Sequence, residues 1–254
     1  MAHRGGAAHP ELPGVENTMH AFAHAVALGY RYLETDVHAT ADGTLLAFHD
    51  SSLDRLTGSS GAIARLRAAE VAAALIAGEH PVPTMASLLE AFPHCRFNID
   101  LKSAGAVQPL AALVRATRSE DRVCVGSFSQ ARIRAFRRAT GGRVATAAAP
   151  AEAAAFRALP SARLARTVAA RPAVLQVPQR RGPFPVVTAG FVRRAHAAGL
   201  HVHVWTVDDP AEMRRLLDLG VDGLITDRTD LLRAVLLERG AWQQPAEEPG
   251  SEPR

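Results

Sequence analysis

The chain is poor in several things a protein can be built around. It has only two cysteines, Cys95 and Cys124, in 254 residues. That is too few for a disulfide framework, and both sit among strand-like residues, so each reads as a buried reduced thiol. Aromatic residues make up 5%, which leaves little material for a base-stacking platform. No apolar run is long enough to span a bilayer. The opening, MAHRGG, lacks a charged-then-apolar leader. A cytoplasmic protein with no stable membrane association is therefore expected. Lysine is almost absent: of 29 basic residues, Lys102 is the one lysine. The net charge of +4 suits an anionic ligand only weakly. The arginine clusters ARIRAFRR (131–138) and FVRRAH (191–196) read as solvated helix faces, and no nucleic-acid partner is expected.

What the chain does have is a regular alternation. Apolar residues at 48% allow a substantial core. Strand patterns fall at 1–4, 31–37, 44–48, 97–101, 122–126, 143–147, 173–177, 201–205 and 222–226. Helical patterns fall near 18–28, 84–92, 106–117, 129–139, 151–158, 188–198, 210–218 and 229–239. The segment 44–48 follows its predecessor through a tight turn and must run antiparallel to it. Eight strands then remain for a parallel sheet. The count predicts an α/β fold, a TIM-like (β/α)8 barrel with a β-hairpin extension. An open doubly wound sheet is the alternative, but GGAAHPELPG after the first strand does not match its Gly-rich turn. Residues 1–240 would form one barrel domain. Residues 51–83 would be a short helical insertion capping the catalytic face, with a helix near 66–76. The polar, Pro-rich 241–254 would be a disordered tail.

The densest chemistry lies in LETDVHATADGTLLAFHD, residues 33–50. With Asp42-Gly43 as a two-residue turn, Asp36 would face His49 and His38 would face Ala47. Glu34, Asp36, His38 and His49 would share one side. Glu34 and Asp36, at the end of the second strand, would repel each other unless a cation lay between them. A hard divalent ion such as Mg²⁺ or Ca²⁺ accepts such an oxygen-rich shell; a salt bridge to an arginine is the simpler alternative. In FNIDLKS (97–103), Asp100 and Lys102 share one face and Phe97, Ile99 and Leu101 the other. The lone lysine suggests a site that wants a compact point charge, although an Asp100–Lys102 ion pair would also account for it. His3 and Arg4 sit at the end of the first strand, before Gly5-Gly6. Trp205 and Thr206 would line the pocket, His201 and His203 would be structural, and Asp227 would cap the last helix.

Taken together, HRGG (3–6), ENT (16–18), LETDV (33–37), ADG (41–43), FHDSSLDRLTG (48–58), IDLK (99–102), SFS (127–129), VWTVDD (204–209) and GVDGLITDR (220–228) closely resemble the glycerophosphodiester phosphodiesterases in order and spacing. The resemblance implies a TIM-like barrel and one divalent cation, Mg²⁺ or Ca²⁺. It implies hydrolysis of a small-molecule glycerophosphodiester to sn-glycerol 3-phosphate and an alcohol. It implies His3 and His49 as general acid and base, Glu34 and Asp36 as metal ligands, and Arg4 on phosphate. Asp100 would be a third ligand and Lys102 and Trp205 would bind substrate.

The chain departs from the family pattern in two places. The usual E-x-K reads Asp100-Leu101-Lys102, one methylene shorter. His3 has two residues before it, where a barrel strand wants about five, so the expectation is either a true start further upstream or a frayed first strand that holds His3 poorly and weakens the enzyme. Two other readings accompany the first: a lysophospholipase D-like hydrolase of larger lipid phosphodiesters, and a catalytically weakened barrel that binds a phosphodiester.

Overall fold

A computed structural model describes residues 1–159, 161 and 172–242. In chain order the elements are β1 (Ala2–His3), α1 (Met19–Ala27), β2 (Tyr32–Ala39), β3 (Leu45–Ala47), α2 (Ala68–Val71), β4 (Leu75–Ile76), β5 (His80–Pro81), α3 (Met85–Ala91), β6 (Arg96–Leu101), α4 (Val107–Ala116), β7 (Val123–Gly126) and α5 (Gln130–Ala139). There follow β8 (Ala145–Thr146), α6 (Pro150–Ala158), β9 (Val174–Pro178), β10 (Arg180–Arg181), β11 (Phe184–Pro185), α7 (Ala189–Ala197), β12 (His201–Trp205), α8 (Pro210–Asp218), β13 (Gly223–Leu224) and α9 (Thr229–Glu238).

Two parallel arcs make the barrel wall, β1-β2-β6-β7-β8 and β9-β12-β13. Single parallel bridges join them at both seams, Ala147 to Val174 and Ala2 to Thr226. Among the described residues the wall is thus eight parallel strands closed on themselves, the TIM-barrel arrangement. Its outer surface is made by every second residue of each strand. In β6, Phe97, Ile99 and Leu101 are buried in the helix-side core, and Asn98 and Asp100 alternate with them. Helix α1 shows how local sequence feeds this core. The Thr18 hydroxyl accepts the Ala21 N–H at 3.1 Å as N-cap, Phe22 is fully buried edge-on to Phe97, and Gly29 at φ 101° ends the helix.

The first strand is short but not frayed. His3 N–H donates to Thr226 O (2.9 Å), Thr226 N–H to Met1 O (3.2 Å) and Arg4 N–H to Glu34 O (3.0 Å). Neighbours on both sides therefore hold the backbone that carries His3.

Three expectations change. The β2–β3 hairpin is one residue out of the predicted register: Val37, not His38, faces Ala47, and Phe48 N–H donates to Asp36 O. Between Ala39 and Leu45, Thr40 N–H donates to Thr44 O (3.0 Å), which leaves 41–43 as a three-residue tip with Gly43 at φ 84°. Asp42 stabilises this longer turn by accepting from Thr40 Oγ1 (2.5 Å) and from Ala68 N–H (3.2 Å). The helix expected near 66–76 shrinks to the single turn α2, because 75–81 forms a small hairpin with Ala77 and Gly78 at positive φ. Residues 46–76 build a satellite core from Leu46, Phe48, Leu53, Ile63, Val71 and Ile76, while Leu75 of the insertion stays exposed. Finally, Arg137 in the 131–138 cluster is not solvated. It is buried, with Nη1 2.6 Å from Glu152 Oε1 and Nε donating to Thr146 Oγ1 at 2.9 Å.

Of the expected tail, residues 243–254 lie outside the described residues. Trp242 packs its indole against Tyr30, with ring centroids 4.9 Å apart. Among the described residues no helix is long and apolar enough to cross a membrane.

Candidate active site

A cavity of about 1100 Å³ opens at the C-terminal ends of the barrel strands, the end at which TIM-barrel enzymes carry their chemistry. Its lining includes His3, Arg4, Glu34, Asp36, His49, Asp100, Lys102 and Trp205, all eight residues singled out from sequence.

The carboxylates come from adjacent strands. The register pairs Asp36 with Asp100 and His3 with Glu34. Asp36 is buried, and its cost of burial is outweighed by Lys102 Nζ at 2.9 Å and Arg4 Nε at 3.2 Å, which hold its carboxyl below the usual range. Asn17 adds a hydrogen bond from Nδ2 to Asp36 Oδ2 (3.1 Å), and its Oδ1 accepts from Thr35 (2.8 Å). Asn17 sits at φ 58°, a left-handed conformation that asparagine tolerates. Lys102 also reaches Asp100 Oδ2 at 2.9 Å, so the ion pair weighed from sequence is present.

Among the described residues Glu34 has no lysine or arginine side chain paired with it; its Oε2 accepts from Arg4 N–H at 3.2 Å and lies 3.7 Å from His3 Nε2. Burial, together with the negative charges of Asp36 and Asp100, pushes its carboxyl up to about 7, against the opposing pull of His3 and Arg4. Asp100 Oδ1 is buried and has no hydrogen-bond partner among the described residues. A crowded carboxylate cluster with an orphan acceptor is the chemistry a hard divalent cation satisfies. The oxygen donors of Glu34, Asp36 and Asp100 are of the kind such an ion takes.

The two histidines are held alike. His3 donates Nδ1–H to Asp227 Oδ1 at 2.6 Å and turns Nε2 toward Glu34, 3.7 Å away. Burial lowers its pKa, but Glu34 and Asp227 outweigh this and the net shift is upward. His49 donates Nδ1–H to Asp50 Oδ1 at 2.7 Å. Asp50 in turn accepts from Arg55 (2.5 Å), Arg55 reaches Glu16 (2.6 Å), and Glu16 pairs with Arg4 (3.0 Å). This chain ties the insertion to the loop after β1. His49 reaches the cavity despite the shifted hairpin because β3 has ended at Ala47 and the chain bends there. His38 fastens the bend: its Nε2 lies 3.2 Å from His49 O.

Sequence reasoning missed three contributors, Asp227, Asp50 and Arg55. Asp227 was read as a helix cap, yet α9 begins at Thr229 and Asp227 binds His3. Asp50 and Arg55 were only parts of a motif. An acid next to a histidine in a strand-end loop was the available signal. His203, midway along β12, is buried enough to fall to about 4, in keeping with a structural role.

These features define a class: a TIM-barrel hydrolase with paired histidines and a carboxylate cluster on one face, adapted to an anionic ester. Residues 3–231 match the glycerophosphoryl diester phosphodiesterase family. A Mycobacterium tuberculosis protein named "Probable glycerophosphodiester phosphodiesterase 2" is 44% identical over 95% of this chain and 92% of its own. A lysophospholipase D from Rattus norvegicus is 33% identical over 51% of this chain and 45% of its own. The crystal structure of a glycerophosphodiester phosphodiesterase from Agrobacterium tumefaciens superposes with a TM-score of 0.76 at 25% identity, covering 91% of this chain and 97% of that one. The chain belongs to the glycerophosphoryl diester phosphodiesterase family, and it is an enzyme of that class, a phosphoric diester hydrolase.

Proposed function

We propose that the protein releases sn-glycerol 3-phosphate and an alcohol from small glycerophosphodiesters, using His3 and His49 as the acid–base pair. One divalent cation, Mg²⁺ or Ca²⁺, would be held by Glu34, Asp36 and Asp100. Members of the family are generally divalent-cation dependent. The observation that carries the reading is the buried Asp100 Oδ1, without a partner among the described residues, near a Glu34 whose carboxyl is driven up by burial and by Asp36 and Asp100. When bound, the cation would supply positive charge for the phosphoryl oxygens.

The chain's own residues do the rest. Arg4 and Lys102 offset charge that builds on the phosphoryl group. Each histidine has Nδ1 occupied by an aspartate, which leaves Nε2 for proton transfer. One takes a proton from the nucleophile and the other protonates the departing alkoxide. The leaving alcohol would lie along Trp205 and Phe128, whose rings meet edge-to-face at 5.5 Å.

The test is glycerol 3-phosphate release from glycerophosphocholine after EDTA treatment, and again with Mg²⁺ or Ca²⁺ restored. Release should vanish with EDTA and return with metal. His49→Ala should lower kcat by about 10²-fold or more. Release that ignores EDTA, or a His49→Ala enzyme with full activity, would remove the proposed mechanism.

One observation favours a second reading. Phe128 and Phe184, both at the cavity mouth, are 63% and 69% exposed. An apolar rim of this kind would also receive the acyl chain of a lysophospholipid, and the similarity to a lysophospholipase D points the same way. Comparing release from glycerophosphocholine with release from its mono-acyl form separates the two.

A further inference from the structure

We propose that His9, Glu11 and His24 form a second metal site, for a transition-metal ion of the zinc type, on the loop between β1 and α1. Nothing in the proposed reaction uses these residues. One possible ligand atom from each lies within 4.8 Å of the others. Two segments supply them: His9 and Glu11 from the loop, His24 from the last turn of α1.

The local geometry favours ligation over incidental proximity. The His9 and His24 rings meet at 61° with centroids 4.4 Å apart. His24 Nε2 lies 3.1 Å from Glu11 Oε2, and its Nδ1 is buried with no partner among the described residues. His9 is buried, and its Nδ1 accepts one long hydrogen bond, 3.2 Å, from Glu11 N–H. A metal taking His9 at Nδ1 would replace only that weak bond. Ligand atoms around zinc stand about 3.3 Å apart, given bond lengths near 2.0–2.1 Å. The cluster must therefore contract somewhat, and the Glu11 side chain, 75% exposed, is free to swing inward.

Donor chemistry separates this site from the carboxylate cluster. Two imidazoles and one carboxylate suit Zn²⁺, as in open three-ligand zinc sites, whereas Mg²⁺ and Ca²⁺ prefer an all-oxygen shell. The same loop carries Arg4, Glu16 and Asn17, which contact Asp36 and Arg55. An ion at His9 and His24 would pin that loop to α1 without touching substrate.

The test uses the full chain, stripped of metal and then held in a large excess of Mg²⁺, with Zn²⁺ added under equilibrium dialysis and in thermal melts. The wild type should bind one Zn²⁺ per chain in that excess and melt higher for it. His9→Gln and His24→Ala should each weaken Zn²⁺ binding by at least about tenfold and cancel the thermal gain, while melting like wild type without zinc. If His24→Ala folds poorly, His24→Gln takes its place. The proposal is overturned if the wild type retains no zinc or if the histidine variants bind it unchanged. It also falls if Glu34→Gln, rather than the histidine variants, abolishes binding, since the ion would then sit among the catalytic-face carboxylates.

Discussion

Glu34 sits in surroundings that oppose its charge. It is buried, it lies near two other carboxylates, and its own carboxyl rises to about 7. The unfolded chain releases that proton near 4.5. Between these values the folded state holds more protons than the unfolded one, so stability falls as pH rises through the window. His3 acts in the same direction: its folded pKa is raised, so its contribution is present below the ordinary histidine value and lost as pH climbs through the folded one. His203, lowered to about 4, and the Met1 amino group, lowered to about 5, act in the opposite direction over this range, so the Glu34 contribution is read as a difference: metal-free wild type should lose melting temperature relative to Glu34→Gln as pH increases from about 4.5 to about 7. A pH series of melting curves in EDTA checks this, and an unchanged slope in the variant would locate the effect elsewhere.

At the scale of elements, strand ends and caps aim the chemistry, and buried polar links hold the elements to one another. Arg137 on α5 is such a link. It forks onto both Glu152 oxygens, 2.6 and 3.1 Å away, and reaches Thr146 and Ala147 O at β8. Glu152 in turn accepts from Ala149 N–H at the start of α6 (3.0 Å). One ion pair thus joins two helices and a strand whose own regular segment is two residues long. Removing one partner strands the other, so Arg137→Met should cost on the order of 2–4 kcal/mol. The double variant Arg137→Met, Glu152→Met should regain part of that loss. Chemical denaturation of the three proteins measures both.

Over the whole molecule, the site draws on residues from His3 to Asp227, brought together only when the barrel closes at Ala2–Thr226. A cation that binds the assembled carboxylates but not the unfolded chain must stabilise the whole fold by linkage, about 2.7 kcal/mol at a hundredfold excess over its dissociation constant. Mg²⁺ or Ca²⁺ should raise the melting temperature of the stripped protein, and Asp100→Asn should reduce the gain. A melting temperature indifferent to both ions would argue against the carboxylates as ligands.

Much of this was legible in the chain itself. Short apolar runs between helical patterns marked all eight wall strands, because such runs are a local property of the sequence. Glu34, Asp36, Asp100 and Lys102 stood out because carboxylates and a lone lysine are costly in buried strands and are rarely placed there without partners, whereas His3, Arg4 and His49 took their roles from the resemblance to the family. What the sequence could not decide was anything set by contact across distance. The hairpin slipped one residue because Asp42 found Ala68, twenty-six positions on. The length of the helix in the insertion was settled by a satellite core. Arg137 looked solvated until Glu152 and Thr146 surrounded it. Asp227 became the partner of His3 only because the last and first strands of a closed barrel are neighbours. Local patterning determines which segments are strands and which residues can do chemistry; closure of the barrel decides who faces whom, because hydrogen bonds and charges act through space rather than along the chain.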